Sequence, residues 1–558
     1  MNKDKDGLEH QQVGDSSVID LNSAGFARPE SACRSVYDFE HAPFARDASR
    51  TAVQLDGEPF DFEMIARIGA GKAVLSADPT GIERCRDGRL AIERRIAMGL
   101  PVYGSTTGVG AMKNVNWSAD DLASFNCGLV QAHHFGTGAP FPLSVVRNAI
   151  AIRINTALTG RVGCTVALVD AFLHLMAADV VPVVRRSGSI GCADIGLMGQ
   201  IGAVLTGVGE AVYRGRRLPA DIALQQAGLS PFTMAPRDSL ASISVNAISF
   251  ASAADAVRSA AGAVRTLLAV SVASSGAMGA SPDPWKAAIH VGTDNEALVG
   301  SWLCQSGRQW VWPVSTHVQD PLSLRMMPQV FGTCFESLLL AGRAVLAATG
   351  RTDDNPVTVE GEVLSSGGSL PLGVTVFLQA ASITLAHVAR NSFNRCVLLC
   401  NGGRRDLPIN LVPANAVVTG FGPVVKSAGE LFSRVLSVSA PVSAQSLVMA
   451  GGLEDEATFL PLVVERFEQQ VEAIRRLTAL EAFLATQAID LLGDRPAGVA
   501  RIIYEAVRTH ADFYSVDRPL SVEVERVDEH LAADYTTAKL FSEARMTGVD
   551  TFFSLAPV

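Results

Sequence analysis

SGSIGCADIGLM, residues 187–198, is the stretch that decides the fold of this chain. It holds three glycines and two serines, follows a mostly apolar run (177–184) and precedes a run of small residues (199–209). Glycine permits positive φ angles and close approach of the backbone. A glycine-rich loop that enters a helix also gathers free N–H groups, which suit an anion. The alternative is an ordinary loop that leads into a helix.

The composition indicates a large folded protein without nucleic-acid partners. The chain has 558 residues, of which 48% are hydrophobic and 18% charged, enough for a large core. The net charge is −10 and no long Lys/Arg run occurs, which argues against nucleic-acid binding. The nine cysteines include no Cys-x-x-Cys pair, so we expect a reducing compartment and neither disulfides nor a zinc cluster.

The N-terminal region is polar and charged. Residues 1–22 do not resemble a signal peptide, and residues 1–50 contain few large apolar side chains, which predicts a flexible extension. Apolar runs elsewhere are interrupted by glycine, serine or charge before they reach membrane length. We therefore expect a soluble cytoplasmic protein with no membrane partner.

Helical periodicity dominates the rest of the chain. Apolar residues recur at intervals of three and four from 145 to 181, and again from 374 to 492 with breaks at glycine and proline. The pattern continues from 494 to about 529. We predict a mainly α protein with a loop-rich active-site domain at 51–245. An elongated helical bundle with a C-terminal cap should occupy 246–558.

Five further segments carry candidate chemistry. They are VYGSTTGVG (102–110), LVQAHHFGTG (129–138), VQDPLSLRMMPQVFG (318–332), DNP (354–356) and SGG (366–368). The paired histidines at 133 and 134 point apart on a helix or strand, and no carboxylate lies at ligand spacing. We therefore predict no metal site.

These segments resemble the aromatic amino acid and histidine ammonia-lyase superfamily. The match is most specific at 319–332, where the family has Gln-Asp-Pro-Tyr-Ser-x-Arg-x-x-Pro-Gln-Val-x-Gly, and it extends over about 60–490. The resemblance implies the mainly α histidine/phenylalanine ammonia-lyase fold, with a long central helix bundle and a loop-rich N-terminal active-site part. It also implies a homotetramer in which three subunits build each active site around a small amino-acid-like substrate.

The resemblance assigns roles to several residues. Tyr103 matches the catalytic base, Arg325 the arginine that grips the substrate carboxylate, and Asn355 an amide near the reacting centre. A planar bidentate donor suits carboxylate recognition. His133 falls where the substrate ring is read, and Glu454 matches a family glutamate.

Other assignments leave alternatives open. The family asparagine that binds substrate corresponds either to Asn246 or to Ser244, and Arg404 stands where histidine lyases have an apolar residue against the ring. Arg434 replaces the family's active-site glutamate, and it shares one helix face with two other charged residues, Lys426 and Glu430. We predict that this face lines the site, with Glu430 in a catalytic role; a solvated charged face is the alternative.

Two departures concern the family's electrophile, methylidene-imidazolone. The family forms it from Ala-Ser-Gly, whereas this chain has only Cys192-Ala193, one residue short and without the serine. Leu322 replaces the tyrosine that assists the electrophile. We therefore expect an unmodified loop and no cofactor, as in the ergothionase-like members of the superfamily.

These observations predict a carbon–nitrogen lyase that eliminates an amine without the electrophile. Trimethylamine from ergothioneine or a related histidine betaine fits, because a trimethylammonium group leaves as a neutral amine. Free tyrosine has a pKa of about 10, so we expect cations around Tyr103. The alternatives are an ammonia lyase acting on histidine or another aromatic amino acid, and an inactive homologue that binds a small molecule.

Overall fold

The computed structural model describes residues 50–118, 120–314, 316–445 and 447–555. The extension expected at 1–50 therefore lies outside the described residues, apart from Arg50. The described part is mainly helical, as predicted, and it falls within one compact unit. The division at residue 245 stays a prediction.

The first 200 described residues alternate short helices with short strands. The β1–β2 pair is parallel, with Thr51 opposite Ala73, and the other pairs, β3–β5, β4–β6 and β6–β7, are antiparallel. In chain order the elements are β1 (Thr51–Leu55), α1 (Phe62–Gly69), β2 (Ala73–Ala77), α2 (Pro79–Ala97), α3 (Leu122–Ala132), β3 (Thr137–Pro140), α4 (Leu143–Ala157), α5 (Val166–Ala178), β4 (Val181–Pro182), β5 (Arg185–Ser187), α6 (Ile195–Leu205), β6 (Glu210–Tyr213), β7 (Arg216–Pro219), α7 (Ala220–Gln226) and α8 (Asp238–Ile243).

Long helices follow and form the bundle that the periodicity predicts. They are α9 (Ala247–Ala277), α10 (Asp283–Val291), α11 (Asp294–Arg308), α12 (Leu322–Arg325), α13 (Met327–Thr349), then the hairpin β8 (Val357–Val359) and β9 (Glu362–Leu364), α14 (Leu372–Asn401), α15 (Gly422–Ser437) and α16 (Leu460–Leu492). Helix α14 ends where Gly402 adopts a φ of 69°, at the glycine pair expected to break it.

Helix α9 is the centre of this bundle. Its sequence is rich in alanine and serine, it is buried on nearly every side, and it packs against α4, α13 and α16. Small side chains let neighbouring helices approach on all faces, as expected for a helix without a solvent-facing side.

A buried ion pair joins three helices of the bundle. Arg395 of α14 donates to both carboxylate oxygens of Glu481 on α16, at 2.6 and 2.9 Å. Ser274 of α9 and Ser392 of α14 also donate to this carboxylate. Because every charged atom has partners, the pair fixes the register of α9, α14 and α16.

The C-terminal cap is helical over a longer stretch than predicted. It contains α17 (Gly498–Arg508), α18 (Ser521–Ala532), α19 (Asp534–Glu543) and α20 (Thr547–Phe552), so helix continues well past residue 529. Buried Asp550 accepts two bonds from Arg265 of α9, at 2.6 and 2.8 Å. This pair ties the cap to the central helix.

Among the described residues, three helical stretches are long and apolar enough to span a membrane by length and composition, contrary to the expectation of interrupted runs. In the most apolar window of 238–277, 94% of the residues are buried inside the protein. The windows in Met327–Thr349 and Leu372–Asn401 are 50% and 56% buried. Packing within the bundle therefore accounts for the first stretch, while the other two keep exposed apolar side chains.

Candidate active site

A cavity of about 740 Å³ brings together motifs of the N-terminal part and segments from later in the chain. Of the predicted site residues, Tyr103, His133, Asn355 and Glu454 line it. Cys192 and Ala193 of the glycine-rich loop line it too. Segments more than 300 residues apart in sequence thus meet at one place in a single chain.

The glycine-rich loop is held by its own side chains. Ser189 Oγ accepts from the Gly191 N–H at 3.0 Å and donates to Asp194 Oδ1 at 2.8 Å. The other carboxylate oxygen of Asp194 accepts from the Ser249 N–H of α9 at 2.9 Å. Burial raises the pKa of Asp194. The loop enters helix α6, as predicted, and Asp194 anchors it to α9.

Gly191 lies where the loop contacts the start of α16. Its φ is 76°, and a Cβ there would lie 2.4 Å from the Leu460 backbone nitrogen. Its carbonyl accepts from Thr458 Oγ1 at 2.7 Å, and the neighbouring Ile190 carbonyl accepts from the Phe459 N–H at 2.8 Å. Only glycine fits this approach.

By the sequence resemblance, Cys192 and Ala193 correspond to the position of the family's electrophile. Cys192 Sγ lies 3.5 Å from Ser369 Oγ, and burial raises the pKa of this thiol. The Ala193 N–H donates to the Ser369 carbonyl at 3.2 Å, and the Ala193 carbonyl accepts from the Val245 N–H at 3.1 Å. The methyl of Ala193 has no hydroxyl to eliminate and both its backbone groups are hydrogen-bonded, so these residues do not fit methylidene-imidazolone.

Tyr103 does not have the cationic surroundings that were expected. Its hydroxyl oxygen accepts from the Gly110 N–H at 2.9 Å, which favours the phenolate. Burial has the larger effect and raises the pKa of Tyr103, and the charge of Glu454 raises it further. Arg95 and Lys113 line the same cavity, but the groups that shift the pKa of Tyr103 are its burial, the Gly110 N–H, Glu454 and Cys192.

His133 follows the last residue of α3. Its Nδ1 lies 2.7 Å from the Leu129 carbonyl oxygen. Since a carbonyl only accepts, Nδ1 carries the hydrogen and the ring is tied to its own helix.

Buried charges position Asn355. Asp354, beside it in sequence, pairs with Arg153 of α4 and with Arg237, each at 2.9 Å. Asn355 Oδ1 accepts from the Ser366 N–H at 3.0 Å, which leaves the amide Nδ2 as the donor on the cavity side. The α4 helix thus fixes an amide more than 200 residues away in sequence.

The two alternatives for the family asparagine have different surroundings. Ser244 lines the cavity. Asn246 is fully buried at the start of α9, where its Nδ2 donates to Asp353 Oδ2 at 2.8 Å and to the Ser369 carbonyl at 2.9 Å. Burial, together with the adjacent Asp354, raises the pKa of Asp353 to about 7. Asn246 therefore supports the cavity wall rather than lining it.

Arg404 does not face the cavity. Its side chain is buried, with Nε donating to the Met278 carbonyl at 2.8 Å and Nη2 donating to Asp320 Oδ1 at 2.5 Å. Because Gly402 and Gly403 both have positive φ, the chain turns back and directs Arg404 onto Asp320. Within the single chain Arg404 therefore joins Asp320 to the end of α9, and the contact expected between Arg404 and the substrate ring stays a prediction.

Four predicted residues lie on the surface of the single chain, away from the cavity. Arg325 donates to Gln319 and is half-buried on α12. Lys426, Glu430 and Arg434 do share one face of α15, as predicted, but all three are exposed and Glu430 pairs with Arg434. In the single chain, this face of α15 is therefore exposed to solvent, as the alternative interpretation in the sequence analysis expects.

Some cavity residues carry little or no signal in the sequence. Arg95 belongs to an unremarkable charged helix, and Lys113 lies beyond the tyrosine motif. Ser369 directly follows the SGG segment and is not part of it, yet its hydroxyl contacts Cys192 and its carbonyl accepts from both Ala193 and Asn246. Spacing could not show this, since 177 residues separate Ser369 from Cys192.

Comparisons with known proteins agree on the family to which the chain is similar. The family model for aromatic amino acid lyases matches residues 60–509. The chain is 28% identical over 496 residues to a histidine ammonia-lyase of Myxococcus xanthus, covering 86% of this chain and 97% of the relative. It is 30% identical over 441 residues to that of Burkholderia cenocepacia, covering 76% and 86%.

Solved structures show the same fold. The ergothioneine-degrading enzyme ergothionase from Treponema denticola superposes with a TM-score of 0.83 at 25% identity, covering 86% of this chain and 98% of that one. Histidine ammonia-lyase from Trypanosoma cruzi superposes with a TM-score of 0.81 at 23% identity, covering 91% and 98%. The matching family model, the cavity motifs and the helical bundle agree: the chain belongs to the aromatic amino acid lyase family.

Proposed function

We propose that this lyase eliminates an amine without methylidene-imidazolone, and that the amine is trimethylamine from a histidine-derived betaine. One observation carries the proposal. Cys192 and Ala193 occupy the electrophile's position, whereas the residues matching the family's base, ring-reading histidine and amide still line one cavity.

The substrate class follows from the missing electrophile. An ordinary ammonium group leaves poorly, and the family's electrophile offsets this. A trimethylammonium group leaves as neutral trimethylamine, taking the C–N electron pair with it and needing no proton. The enzyme then has to remove the β-proton and stabilise the charge that develops.

Tyr103 is the proposed base. Its phenolate takes the β-proton, the C–H electron pair becomes the new C=C bond, and the C–N bond breaks. The Gly110 N–H, 2.9 Å from the phenol oxygen, stabilises the phenolate before the transfer. A preorganised donor aimed at the charge that develops on the substrate, as proposed for the Asn355 amide, is typically worth about 3 kcal/mol in such a step.

Two observations support a histidine-like ring in the substrate. The curated relatives named above are histidine ammonia-lyases, and His133 presents a polar ring to the cavity. Ergothionase, which shares the fold, is named as an ergothioneine-degrading enzyme. Ergothioneine, a betaine of a thiol-bearing histidine, combines the required ring and leaving group.

Neighbouring subunits complete the site in this proposal. Arg325 lies outside the cavity of its own chain, and next to it Val318 and Leu322 are 97% and 54% exposed. Exposed apolar side chains beside a substrate-binding arginine indicate a surface that another copy covers. We infer a homotetramer in which Arg325, and the α15 face with Glu430, reach the cavity of a neighbouring subunit.

Kinetics of two variants test these roles. Tyr103→Phe should abolish trimethylamine release from ergothioneine and leave ergothioneine binding within about twofold, because only the proton acceptor is lost. Arg325→Lys should raise KM at least tenfold with a smaller change in kcat, because the bidentate fork is lost. Near-full activity of Tyr103→Phe would show that the base is a different residue.

A further inference from the structure

We propose that Asp353 is a positioning residue of this site: it acts as a neutral carboxylic acid whose hydrogen bonds with the Asn246 amide hold Ser369 against the glycine-rich loop. Asp353 and Asn246 do not line the cavity, so their influence on the reaction passes through Ser369, which does. The positioning role rests on the proposed function, whereas the protonation of Asp353 does not.

Asn246 connects Asp353 to the cavity wall. Its backbone N–H and its side-chain Nδ2 both donate to Asp353 Oδ2, each at 2.8 Å. The same Nδ2 donates to the Ser369 carbonyl at 2.9 Å. That carbonyl also accepts from the Ala193 N–H, and the Ser369 hydroxyl contacts Cys192. One amide therefore links a buried carboxyl to the wall of the cavity.

Two buried oxygen atoms of this pair have no donor. They are Asp353 Oδ1 and Asn246 Oδ1, which have no hydrogen-bond partner among the described residues. An ionised carboxylate and an amide carbonyl can only accept, and leaving both unpaired in a buried place is costly. A proton on Asp353 Oδ1 satisfies both atoms, because a neutral carboxyl donates one O–H and the Asn246 carbonyl accepts it. The acid and the amide then exchange two hydrogen bonds.

The charged groups around Asp353 are consistent with a neutral carboxyl. Burial raises the pKa of Asp353 to about 7, and the charge of Asp354 acts in the same direction. The buried arginines Arg153 and Arg237 each form an ion pair with Asp354 at 2.9 Å. Among the described residues, neither arginine forms an ion pair with Asp353. Arg153 and the donors of Asn246 lower the pKa of Asp353, but less than burial raises it.

Loss of the proton weakens the support of the cavity wall. An ionised Asp353 has no hydrogen for the Asn246 carbonyl, so one of the two bonds between acid and amide is lost. The amide is then free to turn, and its bond to the Ser369 carbonyl is lost as it turns. The charge of Asp353 also raises the pKa of Cys192, so its influence extends to the loop. The site is therefore best positioned below the pH at which Asp353 ionises.

Infrared spectroscopy of the full chain tests the protonation without turnover. A neutral carboxyl has a C=O stretching band at a higher frequency than a carboxylate or an amide. The difference between the unsubstituted protein and Asp353→Asn therefore isolates the band of Asp353. We expect this band at pH 5.5 and its loss as the pH rises through about 7. Absence of the band at pH 5.5 would overturn the proposal.

Kinetics test the positioning role. Asp353→Asn keeps the pair at every pH, because its amide N–H donates to the Asn246 carbonyl in place of the acid O–H. The quantity compared is kcat/KM for trimethylamine release from ergothioneine, as the ratio of Asp353→Asn to the unsubstituted protein. We expect a ratio within about twofold of one at pH 6 and a rise of at least about fivefold by pH 8.5. Titration of Tyr103 is common to both proteins and cancels in the ratio.

Asp255→Asn is the matched control. Burial also raises the pKa of Asp255, but this residue of α9 lies outside the cavity lining, and its charged neighbours are Arg186 and Arg258. The same substitution there should give a ratio that does not change between pH 6 and 8.5. An unchanging ratio for Asp353→Asn, loss of its activity at every pH, or an equal rise in Asp255→Asn would overturn the positioning role.

The proposed function fails separately. If the unsubstituted protein releases no trimethylamine from ergothioneine or hercynine, the elimination is wrong, and the infrared band still shows whether Asp353 holds its proton. If trimethylamine is released and the band is absent at pH 5.5, only the inference about Asp353 is wrong.

Discussion

At the scale of single residues, Cys192 and Ala193 determine what chemistry is open to the chain. By the sequence resemblance, a thiol and a methyl take the place of the residues that the family converts to an electrophile. Around them, burial raises the pKa of Tyr103, Cys192 and Asp194. The cavity is therefore a desolvated site in which proton transfer depends on well-placed hydrogen bonds, such as that from Gly110 to Tyr103, more than on nearby cations.

Asp353 gives a residue-scale prediction for stability against pH. Its folded-state pKa of about 7 lies above the ordinary value of 3.8. Between these values the folded protein holds a proton that the unfolded chain has released, so the free energy of unfolding falls as pH rises from about 4 to 7. The side chain of Asp353→Asn cannot ionise. The decrease in the free energy of unfolding between these pH values should therefore be smaller in this variant, by roughly 2–4 kcal/mol.

Urea denaturation of both proteins at pH 4.5, 5.5, 6.5 and 7.5 measures this difference. All other ionisable groups are shared, so they cancel in the comparison. Equal slopes against pH would show that Asp353 is ionised in the folded protein throughout this range.

At the scale of elements, the glycine-rich loop and the start of α16 are one structural unit. Gly191→Ala would place a Cβ 2.4 Å from the Leu460 nitrogen and 2.7 Å from the Phe459 nitrogen, at a φ of 76°. Both contacts are with backbone and cannot be relieved by a rotamer change. We expect a loss of roughly 2–4 kcal/mol in the free energy of unfolding.

Gly215→Ala is the matched control for this substitution. Gly215 has a φ of 72° with nothing within 4 Å of an added Cβ, so it carries the backbone strain without the clash. We expect it to cost about 1 kcal/mol. If the two variants unfold at the same denaturant concentration, the loop and α16 are less tightly joined than these contacts indicate.

At the scale of the whole molecule, the residues of the proposed site are divided between a cavity and a surface. Tyr103 lies in the cavity and Arg325 on the surface of the same chain. If different subunits supply them, mixing two inactive variants should restore activity. Co-refolded Tyr103→Phe and Arg325→Ala chains should recover up to about a quarter of the wild-type activity, because a random mixture gives that fraction of sites both native residues.

Each variant alone, refolded in the same way, is the control for this complementation. Sedimentation should show the same tetramer for the mixture and for the unsubstituted chain. A tetramer that recovers no activity would place Tyr103 and Arg325 of each site on one subunit, and a monomer would contradict the assembly itself.

The fold was largely predictable from the sequence, because long-range pairs such as Arg395–Glu481 reinforce elements that local periodicity already specifies. The site was predictable only where a motif carries its residue, as at Tyr103 and Asn355. The position of Arg404 could not be predicted, because it depends on Asp320 and on the turn at Gly402, which no linear pattern reveals. Lys113 and Ser369 reach the cavity through tertiary packing alone.

The most direct test of the central claim is to identify the amine that is released and the mass of the protein that releases it. Ergothioneine, hercynine, histidine and tyrosine are each incubated with one preparation, and trimethylamine and ammonia are quantified in every reaction. We predict trimethylamine from a betaine, no ammonia from the amino acids, and an intact mass equal to that encoded. Ammonia from histidine or tyrosine, together with a mass loss of two water molecules, would contradict the account.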